Sequence, residues 1–164
     1  MIGTGLGSDP GQLNKPSSVA VSHEGKLVVA DSGNHRIQIF DQDGSLHCVF
    51  GHAGSEEGEF KDPRAVAINS QNEILVSDTN NHRIQIFDAR GRLQRCFGRL
   101  GDGNNEFRMP RKVAIGPCDD IVVADKINNR VCTYIICTHS QPPTHPPTNT
   151  HTHILSHCSY RPVR

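Results

Sequence analysis

The sequence has no membrane span, no signal peptide and no excess of charge of either sign. Tryptophan is absent, aromatic residues make up 5% of the 164 residues, and 17 basic side chains balance 17 acidic ones. Net charge therefore argues neither for nor against nucleic acid, and any such case depends on local patches. No run approaches the roughly 18 apolar residues that cross a membrane. The N-terminus has no signal-peptide pattern either, and we predict a cytoplasmic protein without a membrane partner.

Motifs for disulfides, zinc and catalysis are also missing. The six cysteines form no C-x-x-C pair, which favours free thiols in a reducing compartment. No Cys/His cluster has RING or B-box spacing, and His151, His153, His157 and Cys158 fit no standard zinc module. We find no Ser/His/Asp order, no paired carboxylates in a common phase and no phosphate loop. We therefore expect no enzyme, no cofactor and no metal site.

What the sequence does contain is an internal repeat. Residues 34–41, Asn-His-Arg-Ile-Gln-Ile-Phe-Asp, recur unchanged at residues 81–88, and a decayed copy follows at residues 128–135. Both intervals are 47 residues. A fixed period of about 20–50 residues is typical of solenoids, propellers and arrays.

The same period relates many other positions, and no insertion or deletion is needed between residues 7 and 134. The positions that recur include Gly7, Gly54 and Gly101; Pro16, Pro63 and Pro110; Val19, Val66 and Val113; Ala20, Ala67 and Ala114; and Asp31, Asp78 and Asp125. The match along whole units predicts that each unit has the same structure.

In each unit, turn residues separate four short segments that are predicted to be strands. In the first unit the strands are predicted at residues 18–21, 27–30, 36–40 and 46–50, with turns of Gly, Asp and Asn between them. The runs at 27–29 and 74–76 are apolar throughout, which indicates burial on both faces of the sheet. Radial stacking in a β-propeller buries both faces of such sheets, and a stack of parallel two-sheet layers is the alternative.

These motifs carry a resemblance. Pro-x-x-Val-Ala-Val, Gly-x-Leu-Val-Val-Ala-Asp and Asn-His-Arg-Ile-Gln-Ile-Phe together resemble the NHL repeat, with Arg36 and Arg83 as the third letter of its triplet. The resemblance spans residues 7–134 and is greatest to the C-terminal propeller of tripartite-motif (TRIM-NHL) and Brat-like proteins. It implies an all-β propeller that usually has six blades, whereas this chain holds two and three-quarter units.

We predict a domain at residues 1–137, an incomplete propeller of about three four-stranded blades with repeats at about 7–51, 54–98 and 101–137. Residues 138–164 are rich in Thr, His and Pro and are predicted to be disordered. The repeat pattern is lost in mid-unit, so we interpret this tail as intron read-through, a frame change or an alternative exon. An open arc exposes apolar blade faces, so we expect a fragment that other NHL blades or chains complete.

The repeated polar positions have two interpretations. In the structural interpretation, each repeated Asp forms hydrogen bonds with the turn that follows it and pairs with the Arg after that turn. The positions with this structural role are Asp31, Asn34, Arg36, Asp78, Asn81, Arg83, Asp125, Asn128 and Arg130. The functional one is that the turn between second and third strands lies on a rim where His35 and His82 face a ligand. The loops between units should open on the same rim.

The loop charges differ between units. Residues 51–64 carry a net charge of −2, and residues 98–112 carry +2. A basic patch of this kind can contact phosphates, although a solvated loop is the alternative. We therefore predict an RNA- or partner-binding rim formed by His35, Arg64, His82, Arg99, Arg108, Arg111 and Lys112. Phe60 and Phe107 recur with Leu13 and are predicted to be core residues rather than base-stacking platforms.

The resemblance implies a non-catalytic module that binds RNA in post-transcriptional regulation, and it gives no reason to expect DNA. The alternative is a protein-interaction platform, the substrate-recognition part of a ubiquitin ligase whose RING lies elsewhere. NHL-type propellers also include an amidating lyase with metal-bound His on its rim, which would imply secretion and a disulfide framework that this sequence lacks.

Overall fold

The computed structural model describes residues 3–136 and residues 154–159, and it is built from three four-stranded antiparallel sheets. The first sheet holds β1 (Pro16–Val21), β2 (Leu27–Asp31), β3 (Arg36–Phe40) and β4 (Leu46–Phe50). The second holds β5 (Pro63–Ile68), β6 (Ile74–Asp78), β7 (Arg83–Phe87) and β8 (Leu93–Phe97). The third holds β9 (Pro110–Ile115), β10 (Ile121–Asp125), β11 (Arg130–Ile136) and β12 (Ile154–Ser159).

Each sheet is one blade of a propeller. Strands follow one another in sheet order, and every neighbouring pair is antiparallel. The first strands β1, β5 and β9 pack side by side, so they form the inner wall of an arc whose outer strands diverge. The all-β, incomplete-propeller fold predicted from the repeat is confirmed.

The core lies between blades rather than within them. One cluster joins the first blade to the second and includes Val28, Ile37, Phe60 and Val66. The other joins the second blade to the third and includes Ile84, Phe107, Val113 and Tyr134. Two aromatic trios repeat this packing: Phe50, Phe60 and Phe87 at the first boundary, and Phe97, Phe107 and Tyr134 at the second. Each blade thus needs a neighbour to bury its faces.

The outermost strand of the third blade differs from the sequence expectation. Residues 138–164 were predicted to be disordered, but residues 154–159 form β12 and pair antiparallel with β11 along its length. The physical reason is the free edge of β11, whose unpaired backbone groups accept another strand. The rest of that prediction, residues 138–153 and 160–164, lies outside the described residues.

The arc has two rims. The loop rim carries the turns between second and third strands, such as Ser32–Asn34 and Thr79–Asn81, and the interblade loops at residues 3–15, 51–62 and 98–109. The hairpin rim carries the other turns, at residues 22–26, 41–45, 69–73, 88–92 and 116–120. The predicted placement of turns and interblade loops on one rim is what the structure shows. Among the described residues, no helix has the length and apolar character needed to cross a membrane.

Candidate functional site: the loop rim

A buried aspartate organises the loop rim of each blade. The side chain of Asp31 is inaccessible to solvent. One carboxylate oxygen accepts the backbone N–H of Asn14 at 2.7 Å. The other accepts Asn34 Nδ2 at 2.8 Å, Arg36 Nε at 2.8 Å and Gln38 Nε2 at 3.0 Å. This carboxylate clamp joins the interblade loop, the turn and the third strand through charge-assisted bonds.

The carboxylate clamp recurs in the other two blades. Asp78 accepts the N–H of Lys61 at 2.7 Å and Arg83 Nε at 2.7 Å. Asp125 accepts the N–H of Arg108 at 2.7 Å and Arg130 Nε at 2.9 Å. Asn81 and Asn128 complete the two clamps at 2.9 and 2.7 Å.

The Asn and Arg of the repeated motif also hold the interblade loop. Asn34, Asn81 and Asn128 donate to the carbonyls of Gly7, Gly54 and Gly101 at 2.8 to 2.9 Å. The arginines donate further into the same loops. Arg83, for example, reaches the carbonyls of Glu56 and Glu59 at 2.6 and 2.9 Å. These contacts hold each interblade loop against the blade that follows it.

The repeated glutamine is a clamp member that sequence reasoning missed. Gln38 and Gln85 are fully buried. Their Oε1 atoms accept the backbone N–H of Gly11 and Gly58, both at 2.9 Å, and their Nε2 atoms donate to the loop carbonyls of Gln12 and Glu59. The sequence feature that could have revealed this role is a polar residue inside an otherwise apolar strand, repeated without change in the first two units. The third blade has Cys132 at this position.

His35 and His82 bridge neighbouring blades. Both have left-handed backbones, with φ of 54° and 58°. The Nδ1 atom of His35 accepts the N–H of Asp62 at 3.0 Å, and that of His82 accepts the N–H of Met109 at 3.1 Å. An acceptor Nδ1 puts the hydrogen of the neutral ring on Nε2. Burial, and then the charge of Arg108, lowers the pKa of His82 below its ordinary value.

Arg64 and Arg111 stand at β-bulges. In each blade the pairing of the first two strands skips one residue after the proline: Ser17, Arg64 and Arg111. A bulge leaves the extra residue out of the ladder and re-aims its side chain. Because the proline begins the first strand at the loop rim, both arginines lie at the inner edge of that rim, next to the arc's axis.

The inner edge of the loop rim is basic, and the outer parts of the loops are acidic. The inner positions immediately around the prolines carry Lys15, Lys61, Arg64, Arg108, Arg111 and Lys112 against the single acid Asp62. The outer parts carry Asp9, Glu56, Glu57, Glu59, Asp102 and Glu106 against the single base Arg99. The net charge of each whole loop averages over the inner and outer zones, so it does not show that the two zones differ in sign.

Ion pairs distinguish the basic residues of the rim from one another. Arg64 Nε lies 2.8 Å from Asp62, and Arg99 lies 2.9 Å from Glu106. Within the described part of the chain, Arg108, Arg111 and Lys112 have no carboxylate within ion-pair distance, and all three are exposed. The third blade therefore presents the strongest positive charge.

A cleft of about 350 Å³ opens on the loop rim between the first and second blades. Its polar lining includes Lys15, His35, Asp62, Arg64 and Asn80. Of the predicted rim residues, His35 and Arg64 therefore meet in one site. His82 and Arg111 occupy the corresponding positions at the next blade boundary, where the charge of Arg108 lowers the pKa of His82.

Two predicted rim residues lie apart from these sites. Arg99 is in the outer loop, paired with Glu106. Lys112 stands in the position of Ser18, whose Oγ accepts the N–H of Val66 on the following blade. Lys112 thus marks the uncovered side of the third blade.

The predicted core residues Phe60 and Phe107 lie in the core. Phe60 and Phe107 are fully buried and offer no stacking surface. Cys48, Cys96, Cys118 and Cys132 are free thiols. In the described residues no group of three or more His, Cys, Asp or Glu could hold a metal. That statement does not extend to His151, His153, His157 and Cys158, because their side chains lie outside the described part of the chain.

The fold and rim define a class: a propeller arc whose blades are joined by carboxylate clamps. Residues 13–40 and 60–87 match the family model described as the NHL repeat. The matched segments run from the interblade loop through the Asn-His-Arg motif to the end of the third strand. Two segments of the chain therefore match the NHL repeat, and the chain has partial similarity to TRIM-NHL proteins.

Curated relatives match over short stretches. The chain is 49% identical over 43 residues to Protein brain tumor of Drosophila melanogaster, covering 26% of this chain and 4% of that protein. It is 59% identical over 34 residues to B-box type zinc finger protein ncl-1 of Caenorhabditis elegans, covering 21% and 4%. It is 50% identical over 40 residues to human E3 ubiquitin-protein ligase TRIM32, covering 24% and 6%.

Solved structures show the same fold at low identity. A virginiamycin B lyase from Staphylococcus aureus superposes with a TM-score of 0.62 at 15% identity, over 92% of this chain and 42% of that one. A gluconolactonase from Xanthomonas campestris superposes with a TM-score of 0.56 at 16% identity, over 75% and 44%. The chain thus spans less than half the length of these neighbours. At such identities the likeness concerns the fold alone.

Proposed function

We propose that the loop rim binds single-stranded RNA, with the phosphates seated on the basic inner edge. The observation that carries the proposal is the separation of charge: unpaired Arg108 and Arg111 line the inner edge with Lys112 beside them, and every acid of these loops except Asp62 stands outside it. The partial similarity to TRIM-NHL proteins supports the same reading.

The contacts available are mostly electrostatic. Guanidinium and ammonium groups neutralise phosphates and release counterions, which makes affinity salt-dependent. The Nε2–H groups of His35 and His82 can donate to a phosphate or a base edge, because Nδ1 is already used by the neighbouring blade. With Phe60 and Phe107 buried, the rim lacks their rings as stacking platforms, so sequence preference should be modest.

The test is fluorescence anisotropy of a labelled single-stranded RNA titrated with the 164-residue chain. With three phosphate contacts, affinity should fall about 20-fold between about 50 and about 200 mM salt. Arg111→Glu should weaken binding and reduce the salt slope by about one. Arg90→Glu is the matched control, because Arg90 is exposed on the hairpin rim and the charge change is the same. A folded chain without RNA affinity at low salt overturns the proposal.

The alternative is a protein ligand on the same rim, as in the substrate-recognition part of a ubiquitin ligase. The exposed Glu56 and Glu57 favour it, because they repel phosphate and suit a basic protein segment. In that case Glu56→Lys weakens the interaction and Arg111→Glu does not. For RNA the order is reversed, since removing the acid strengthens binding.

A further inference from the structure

The two blade boundaries of the loop rim share a backbone arrangement and differ in their side chains. At the first boundary the turn residue Asn80 lines the cleft, and its N–H donates to the carbonyl of Lys61 at 3.0 Å. One repeat later Ile127 holds the same position, and its N–H donates to the carbonyl of Arg108 at 3.0 Å. The repeat therefore places an isoleucine at the second boundary where the first has a polar amide.

The exposure of Ile127 is a property of its position in the turn. Ile127 is 43% exposed. Asn80 is exposed as well, although the third blade follows it and packs on its own blade. Because the position stays open when a further blade is present, the apolar side chain of Ile127 belongs to the surface of the rim.

A second exchange of a polar for an apolar side chain lies at the same boundary. Met109 stands where the first boundary has Asp62, and each donates its N–H to the histidine of the preceding blade. The backbone of Met109 is left-handed, with φ of 59°, and the residue is partly exposed. A bulky apolar residue is unusual in that conformation. Asp62 and Asn80 line one cleft, so Met109 and Ile127 line the equivalent part of the second boundary, which we call the apolar seat.

The loss of the acid also frees a cation. At the first boundary the carboxylate of Asp62 lies 2.8 Å from Arg64 Nε. The equivalent Arg111 has no carboxylate within ion-pair distance in the described part of the chain. Arg108 and Arg111 flank Met109 in the sequence, and both are exposed. The apolar seat therefore lies beside two guanidinium groups that are available to an anion.

We propose that the apolar seat of Met109 and Ile127 holds the face of one nucleobase of a single-stranded RNA, with the adjoining phosphates on Arg108 and Arg111. This inference rests on the proposed function and deepens it. Cations on either side of an apolar residue match a strand in which every base is attached to a phosphate-linked sugar. A thioether and a branched alkyl group contact a base face by dispersion, which any base offers. The seat selects for the presence of a base rather than for its identity.

His82 supplies a directional contact beside the seat. Its Nδ1 atom accepts the N–H of Met109 at 3.1 Å, so Nε2 carries the hydrogen of the neutral ring. Burial and the charge of Arg108 lower the pKa of His82, which keeps the ring neutral near pH 7. The Nε2–H group is then a donor for a carbonyl oxygen or ring nitrogen of the seated base.

The methyl group of Met109 is a direct probe of the seat, because the sequence holds only one other methionine, Met1. In the 164-residue chain with ¹³C-methyl methionine, a saturating single-stranded RNA should shift the Met109 methyl signal upfield through the ring current of the base. A strand of the same length built from abasic ribose phosphates should cause no such shift. Met109→Leu assigns the signal. An RNA that binds and leaves this signal in place overturns the seat.

Fluorescence anisotropy separates base contacts from phosphate contacts. Ile127→Asn installs the residue that the second blade has at Asn80, so the turn should fold as before. The variant should bind RNA about 5-fold more weakly through loss of apolar contact and bind the abasic strand within about 2-fold of the unchanged chain. Leu6→Asn is the matched control, because Leu6 is 82% exposed in the loop of the first blade. It should leave both affinities within about 2-fold.

The outcomes distinguish the seat from the proposed function. If neither strand binds at low salt, the proposed function fails, and the seat fails with it. If RNA binds with the expected salt dependence but Ile127→Asn weakens both strands equally or neither, the seat alone fails. If Ile127→Asn abolishes binding of an acidic, leucine-containing peptide and spares RNA, the surface serves a protein ligand and the base seat is wrong.

Discussion

The Nδ1 atom of His82 accepts the backbone N–H of Met109 across the boundary between the second and third blades, at 3.1 Å. Both residues have left-handed backbones. His35 and Asp62 make the same contact one blade earlier. The histidine of the repeated motif thus connects blades through one ring nitrogen and leaves the other nitrogen for the rim.

Acid should loosen the boundary between these blades. The pKa of His82 is lowered by burial and by Arg108. The folded state therefore binds a proton less readily than the unfolded state, whose pKa is near 6.5. The contribution of His82 to stability is complete above about pH 6.5 and is lost as pH falls through the lower, folded-state pKa. Thermal unfolding between about pH 7.5 and 5 should show this decline.

Replacement of His82 tests whether this residue causes the loss of stability in acid. His82→Asn places there the residue that the third blade has at Asn129, and it should flatten part of the pH dependence. His23→Asn, in an exposed turn of the hairpin rim, is the matched control and should keep the decline that His82→Asn flattens. An NMR titration that gives His82 a pKa above its ordinary value contradicts the prediction.

The carboxylate clamp should be the most sensitive polar site of each blade. Asp78 is buried and pairs with Arg83, which is itself 9% exposed. Asp78→Asn removes the charge and leaves a buried guanidinium unpaired, which costs about 3–5 kcal/mol. Denaturant unfolding measures the loss. Asp43→Asn, in an exposed hairpin turn, should change stability by less than about 1 kcal/mol.

Two glycines of the second interblade loop should differ in their tolerance of alanine. Gly51 and Gly58 have similar left-handed backbones, with φ of 80° and 84°. A Cβ at Gly51 would overlap the buried ring of Phe60, and one at Gly58 would meet no atom within 4 Å. Both substitutions carry backbone strain of about 1–2 kcal/mol. Gly51→Ala should cost about 1–3 kcal/mol more through overpacking.

Thermal unfolding of these two glycine variants measures the difference between them. Equal losses in the two variants would show that the contact with Phe60 does not set the cost.

Removal of one acid should strengthen RNA binding. Asp62 pairs with Arg64 inside the cleft between the first and second blades. Asp62→Asn keeps a residue that tolerates the left-handed backbone and frees the guanidinium for phosphate. Affinity at low salt should rise several-fold, with a steeper salt slope. Asp102→Asn, in the acidic outer part of the next loop, should have a smaller effect in the same anisotropy titration.

The repeat in the sequence was sufficient to predict the blades. The 47-residue period, the proline before each first strand and the Asp-to-Asn-His-Arg spacing are local patterns. Short strands joined by tight turns leave the chain few other ways to bury faces that are apolar on both sides. For this reason the residues predicted the shared rim and the buried phenylalanines, and they favoured the arc over a layered stack of sheets.

Other features depend on contacts between distant residues. Arg64 and Arg111 reach the inner edge because a one-residue bulge shifts the register, and such a shift reverses the direction of a side chain without a clear mark in the sequence. Gln85 joins the clamp because the interblade loop folds back over it. The strand at residues 154–159 forms because β11 offers an edge.

The sequence by itself determined which units exist and how they repeat, because each unit is specified by residues close to one another in the chain. The tertiary structure decided which charges face the axis and which apolar side chains stay exposed. Those properties arise only where one blade, packed against the next, selects the direction of each side chain.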